Sequence, residues 1–216
     1  MLGAVAEIFR TEAVEAVEAA ATALAAGGVV VFPTDTVFGI AANPTVTGAT
    51  GRIFAAKRRS REVTLPVLVA GLDQARDVAA LDARAEALGA RYWPGPLTLV
   101  LARSASSRRW DLGEDRRTVG VRVPDHPVAL ALLRRTGPLA VTSANVSGEP
   151  TPVDLDGVLA SLGDHLAVAV GWGPAPQGRA STVVDLTGPV ARLIREGEIS
   201  AADIEAVAKG APEGLG

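Results

Sequence analysis

The chain has 216 residues, 48% of them hydrophobic and 21% charged, with a formal net charge of −3 at neutral pH. That length supports one full hydrophobic core, and the mild acidity excludes whole-molecule attraction to nucleic acid or an anionic membrane. With no cysteine and only two histidines, His126 and His165, a disulfide framework, a thiolate metal site and a histidine-rich metal centre are excluded.

Residues 11–28 are rich in strong helix formers, and Val14, Val17, Ala21 and Leu24 recur every three or four positions, so this segment is expected to be a helix ending at Gly27-Gly28. The β-branched run Val29-Val30-Val31-Phe32 follows and reads as a strand buried on both faces. It stops abruptly at Pro33-Thr34-Asp35-Thr36, a polar knot before the next apolar stretch. A second helix carries Ile53 and Phe54 towards Lys57. Residues 64–71 suggest a short strand, and 72–93 a helix in one or two pieces. Leu97, Leu99 and Leu101 alternate with Thr98, Val100 and Ala102 in a strand over 94–104. Residues 118–127 repeat that alternation up to a proline turn. A short helix over 128–137 ends at Gly137, and 139–152 begins as a strand and dissolves into small polar residues. Residues 181–197 read as a hairpin about Thr187-Gly188-Pro189, and Ser200 with Asp203 starts the last helix. Residues 210–216 read as a frayed tail.

Strands alternate with helices throughout, and the last hairpin must be antiparallel, so the expected fold is α/β with a mixed sheet. No repeat or linker divides the chain, which is expected to be one domain over 1–216. No apolar run approaches the length of a membrane span and no leader-type segment is visible, so a cytoplasmic protein without a membrane partner is expected.

The basic residues are clumped, most densely in Lys57-Arg58-Arg59-Ser60-Arg61. Such a run is either a solvated helix end favoured by the macrodipole or an anion site, with lysine a compact charge and arginine a bidentate fork. Polar clusters follow apolar strands at Pro33–Thr36, at Thr142–Asn145 and before Ser181-Thr182, and Arg122 lies within its own strand. Each alone reads as an ordinary strand-end turn. In open α/β sheets, however, ligands bind beyond strand ends. No Walker A or G-x-G-x-x-G loop is present. Ser143 lies in T-S-A-N rather than a nucleophile elbow, and neither histidine has an evident partner, so a serine hydrolase fits poorly.

Taken together, "FPTDTVFGIAAN", "IFAAKRR", "YWPGPLTLVL", "TVGVRVPDHP", "VTSANVSGEPTP" and "STVVDLT…LIREGEIS", in this order, resemble the YrdC-like family of threonylcarbamoyl-AMP synthases. The resemblance runs from about Gly27 to Ser200 and includes the family's K-x-R…S-x-N pattern as Lys57, Arg59, Ser143 and Asn145. It implies a twisted sheet with flanking helices and a concave, positively lined cavity. It further implies that L-threonine, bicarbonate and ATP with Mg²⁺ become threonylcarbamoyl-AMP and pyrophosphate. Threonylcarbamoyl-transfer proteins would then carry the group to tRNA, itself a candidate partner. By this resemblance Lys57, Arg59, Ser143 and Asn145 form the catalytic set. Thr36, Arg122, Thr142 and Ser181 hold threonine, while Lys57, Arg59, Thr118, Asn145 and Arg195 hold ATP. No dedicated metal-ligand cluster is visible.

The chain departs from the family pattern where Phe38 replaces a frequent tyrosine and Ser60 a frequent proline. Val63 and Leu68 stand where many members have asparagine and histidine. Two other readings follow: a paralogue of the same fold that binds RNA or a nucleotide without synthase activity, and a related carbamoyl-transfer enzyme acting on another acceptor.

Overall fold

The computed structural model describes residues 6–11, 13–174 and 179–210. Ten strands form one twisted mixed sheet in the order β1-β8-β2-β3-β7-β4-β6-β5-β9-β10. The strands are β1 (Glu7–Phe9), β2 (Val30–Phe32), β3 (Gly39–Ala42), β4 (Val67–Leu68), β5 (Leu97–Ala102), β6 (Thr118–Arg122), β7 (Leu139–Ser143), β8 (Val168–Val170), β9 (Thr182–Asp185) and β10 (Arg192–Arg195). The helices are α1 (Val14–Ala25), α2 (Ala49–Lys57), α3 (Leu72–Val78), α4 (Ala83–Tyr92), α5 (Pro127–Thr136), α6 (Leu155–Leu162) and α7 (Ala201–Gly210).

The elements expected from periodicity are present. Helix α1 ends as its glycines suggest: Gly27 takes the left-handed conformation that a Cβ disfavours, and the Gly28 amide bonds back to Ala23 O at 2.8 Å. Residues 72–93 form two helices, because Asp82 accepts from the Ala85 amide and starts α4 afresh. The last hairpin is antiparallel. Ser200 accepts from the Asp203 amide and donates to the Asp203 carboxylate at the entry to α7. The sequence pattern assigns no element to β1, β3, α6 or β8, and the strand expected over 64–71 is paired as a strand only at Val67–Leu68. The tail expected to fray lies outside the described residues from 211 onwards, as does the 175–178 part of the glycine- and proline-rich loop.

Side-chain alternation explains how this sheet comes to have a cavity. One face is covered from β2 across to β9. Val31, Ile40, Val67, Val121, Leu99 and Val184 point there and pack against α2, α3, α4, α6 and α7 through Ile53, Val78, Leu88, Val158 and Ile204. The opposite face is covered only in part. Val30, Phe32, Leu139 and Val170 meet α1 and α5 through Ala20, Leu24, Val128 and Leu132. Fully burying each such large side chain contributes about 1.5–3 kcal/mol. Beyond α5 that helical layer stops, but the sheet continues. Register carries the same face onward: Leu68 lies beside Arg122, Val100 beside Gly120 and Thr98 beside Val183. Those positions become the wall of an open basin.

Candidate active site

The basin has a volume of about 840 Å³ and is walled by residues from β3 to β10 together with the loops after β2, α2 and β7. Three arginines, Arg59, Arg122 and Arg195, face it, among hydroxyls that include Thr36, Thr98, Thr118, Thr142, Ser143 and Ser181. Strand period places them: Thr118, Gly120 and Arg122 share one face of β6, and Thr98 and Val100 one face of β5.

The polar knot after β2 is a turn built on Thr34. Its hydroxyl accepts from the amides of Thr36 and Val37, both at 3.2 Å, and donates to Val37 O at 2.6 Å. This turn presents Asp35 and Thr36 to Arg122, which is only 6% exposed. Arg122 Nε donates to Gly95 O at 3.0 Å, Nη1 to Thr36 Oγ1 at 2.8 Å, and Nη2 to Asp35 Oδ1 at 2.6 Å. The same Asp35 oxygen accepts from the Asp125 amide at 3.0 Å. Burial lowers the Arg122 pKa, opposed by the charge of Asp35 and the hydrogen bond to it.

Among the described residues the other two arginines bond only to neutral groups. Arg59 donates to Val63 O at 3.0 Å and Thr64 O at 3.3 Å. Arg195 donates to Ser181 O at 3.0 Å and to Ser181 Oγ at 3.3 Å, and Ser181 shares a hydrogen with Thr98 at 2.8 Å. Burial lowers the pKa of both. Thr118 donates to Asp115, which holds that carboxyl below its ordinary range.

Lys57 ends α2, where Arg58 takes a left-handed conformation and turns the chain. Lys57 is 1% exposed and is not on the basin wall. Its ammonium sits behind the wall, donating to Ser143 O at 2.5 Å, to Asn145 O, and to Asn145 Oδ1 at 3.3 Å. Burial, with a smaller effect from Arg59, lowers its pKa from 10.5 to about 8. Asn145 also lies behind the wall, its amide bonded to Val146 O and Glu149 O at 2.9 Å each. The structure therefore brings the expected residues Thr36, Arg59, Thr118, Arg122, Thr142, Ser143, Ser181 and Arg195 to one basin, with Lys57 and Asn145 bracing its β7 side.

Sequence reasoning gives no site role to Asp35 or Thr98. Thr98 is the one hydroxyl in an otherwise aliphatic strand, and Asp35 lies between two threonines of a conspicuous knot; both are signals. Val63 and Leu68 both line the basin, Val63 at 52% exposure, so the positions that depart from the family pattern face ligand space. His126 is buried and His165 exposed, and neither is on the wall.

A resident metal does not fit this donor set. Among the described residues no group of three or more His, Asp or Glu side chains is arranged to hold one, and Glu62 is the carboxylate on the wall.

A family model named Sua5_yciO_yrdC and described as "Telomere recombination" matches residues 22–197. The chain belongs to the Sua5/YciO/YrdC family. It is similar to a putative threonylcarbamoyl-AMP synthase of Mycobacterium tuberculosis, 45% identical over 179 residues and 82% of each chain. A threonylcarbamoyl-AMP synthase of Bacillus subtilis is 39% identical over 190 residues, 87% of this chain and 55% of that one. Among solved structures, Pyrococcus abyssi Sua5 complexed with L-threonine superposes with a TM-score of 0.84 at 34% identity, covering 94% of this chain. This Sua5/YciO/YrdC chain spans only 61% of that Sua5 chain. Escherichia coli YciO superposes with a TM-score of 0.83 at 25% identity, covering 92% of this chain and 99% of its own. No helix among the described residues is long and apolar enough to cross a membrane.

Proposed function

We propose that this protein is an L-threonylcarbamoyladenylate synthase, converting L-threonine, bicarbonate and Mg-ATP to threonylcarbamoyl-AMP and pyrophosphate. The observation that carries this reading is one basin that combines a buried, ion-paired arginine with two arginines that pair with no carboxylate among the described residues, in a fold shared with a threonine-bound relative.

The chemistry needs no protein nucleophile. The amine of threonine adds to bicarbonate with loss of water, giving a carbamate. A carbamate oxygen then forms a bond to the α-phosphorus of ATP as the bond to pyrophosphate breaks. The work of the protein is to bring anions together and to neutralise the charge that leaves. Thr36, Arg122, Thr142 and Ser181 hold threonine. Arg59, Thr118 and Arg195 hold the phosphates, while Lys57 and Asn145 keep Ser143 and its neighbours in place. Mg²⁺ enters with ATP as part of the substrate. The product passes, in the cytoplasm, to threonylcarbamoyl-transfer proteins that modify tRNA.

Pyrophosphate release from ATP, Mg²⁺ and bicarbonate, with and without L-threonine, tests this reading beside an Arg122→Ala control. Threonine-dependent release that the substitution removes is expected. Folded protein that binds ATP but releases no pyrophosphate overturns it, and favours the reading that Val63 and Leu68 motivate: a paralogue that binds RNA or nucleotide without catalysis.

A further inference from the structure

The three cations of the basin are not equivalent. Arg122 carries an ion pair with Asp35 at 2.6 Å. Among the described residues Arg59 and Arg195 form none, and Glu62, exposed at the rim, pairs with neither. Burial alone depresses the pKa of those two arginines; at Arg122 Asp35 opposes the effect of burial, while the charge of Arg195 adds to it slightly. The basin thus has one cation whose charge is already balanced and two whose charge is not.

The balanced arginine still has donors to offer. A guanidinium has five N–H bonds. Gly95, Thr36 and Asp35 each take one, from Nε, Nη1 and Nη2 respectively. One N–H remains on each terminal nitrogen, enough for both oxygens of a single carboxylate. A polyanion gains less there, because its extra charges meet the neighbouring Asp35 as well as the charge of Arg195. At Arg59 and Arg195 the opposite holds: every phosphate charge adds attraction, and no carboxylate is paired against it.

We infer that Asp35 is a specificity-determining residue. It holds the Arg122 fork in place and cancels its charge, so that the fork admits the carboxylate of a zwitterionic amino acid and turns away phosphate chains. This inference rests on the synthase reading. It gives a physical reason why two substrates, one of zero net charge and one polyanionic, occupy one open basin without exchanging places. Discrimination by unfavourable pairing with the wrong ligand is a general route to specificity.

The test is calorimetric titration of L-threonine into the wild-type protein and Asp35→Asn, each with and without inorganic pyrophosphate. Asparagine keeps the side chain's shape and an oxygen for Arg122 and the Asp125 amide, but removes the charge. Pyrophosphate is expected to change threonine affinity of the wild type by less than about twofold, and to weaken that of Asp35→Asn by about tenfold or more through direct competition at Arg122. Equal insensitivity of folded Asp35→Asn overturns the inference. So does competition between pyrophosphate and threonine in the wild type, a result that stands even if the variant fails to fold. If the wild type binds threonine but releases no pyrophosphate in the turnover assay, only the synthase reading fails. If it binds no threonine, both fail.

Discussion

Lys57 Nζ lies 2.5 Å from the carbonyl oxygen of Ser143, a residue 86 positions away in the chain. This contact, with those to both oxygens of Asn145, ties the end of α2 to the loop after β7. The return bond from the Ser147 amide to Lys57 O closes the link at 2.9 Å.

The tie has a pH signature. The lysine pKa is 10.5 in its ordinary state and about 8 here. Between those values the unfolded chain holds more of this proton than the folded protein does. The contribution of Lys57 to stability therefore rises with pH from about 8 to 10.5 and is flat below that window. Urea unfolding of the wild type and Lys57→Met across this range is expected to show the wild type gaining on the variant. A difference that stays constant or shrinks overturns the assignment.

Thr182 opens β9 directly after Ser181 and ties it to the segment before α7. Its fully buried hydroxyl donates to Ile199 O at 2.9 Å and accepts from the amides of Gly197 and Ile199 at 2.9 and 3.1 Å. Thr182→Val leaves those buried groups without a partner and is expected to cost about 2–4 kcal/mol. Denaturant unfolding measures it, and a loss below about 0.5 kcal/mol is incompatible with this network.

Gly197 lies against the same segment. A Cβ there would stand 2.5 Å from Thr182 N and 2.6 Å from Ala180 O, so backbone must move. Gly197→Ala is expected to destabilise the fold by about 1–3 kcal/mol. It also displaces Ser181 and Arg195, so the KM values for threonine and ATP should rise together. Steady-state kinetics at a temperature where the variant remains folded separates the two effects.

Thr98 is expected to act on threonine more than on ATP. Its hydroxyl contacts Ser181 at 2.8 Å; Arg195 reaches it only through that serine, at 3.3 Å, and Arg59 and Thr118 hold no bond to it. Thr98→Val should lower stability by about 1 kcal/mol and raise the KM for threonine about tenfold, as loss of a positioned contact does. The KM for ATP should rise by no more than about twofold, through the Ser181 link to Arg195; a parallel rise in both overturns the role.

The parts of the fold legible in the sequence are those where a period repeats long enough to register. Helix α1 and strands β5 and β6 have such periods, and the hairpin of β9 and β10 has its turn residues. Strand β3 is Gly-Ile-Ala-Ala, without alternation, because both of its faces are buried. Strand β8 is three residues long, and α6 carries Gly157 in its interior. Tertiary neighbours, not local preference, make these elements.

The site was legible by residue type more than by role. The hydroxyls and arginines are where strand ends suggest, but Lys57 belongs to a basic run that reads locally as a solvated helix end. Nothing in Lys-Arg-Arg-Ser-Arg marks which cation turns inward. That depends on the carbonyls of a loop far along the chain. Asp35 was hidden differently: a turn explains an aspartate so well that its pairing with Arg122 leaves no separate trace.

Strand β8 lies between β1 and β2, parallel to both. A ribosome must therefore deliver the chain as far as Val170 before the second strand gains the neighbour on that side, and until then β2 presents an open edge. Ser181 and Arg195 emerge later still. Ligands consequently have no complete basin to bind during most of synthesis, and can protect from unfolding or proteolysis only chains that extend through Arg195.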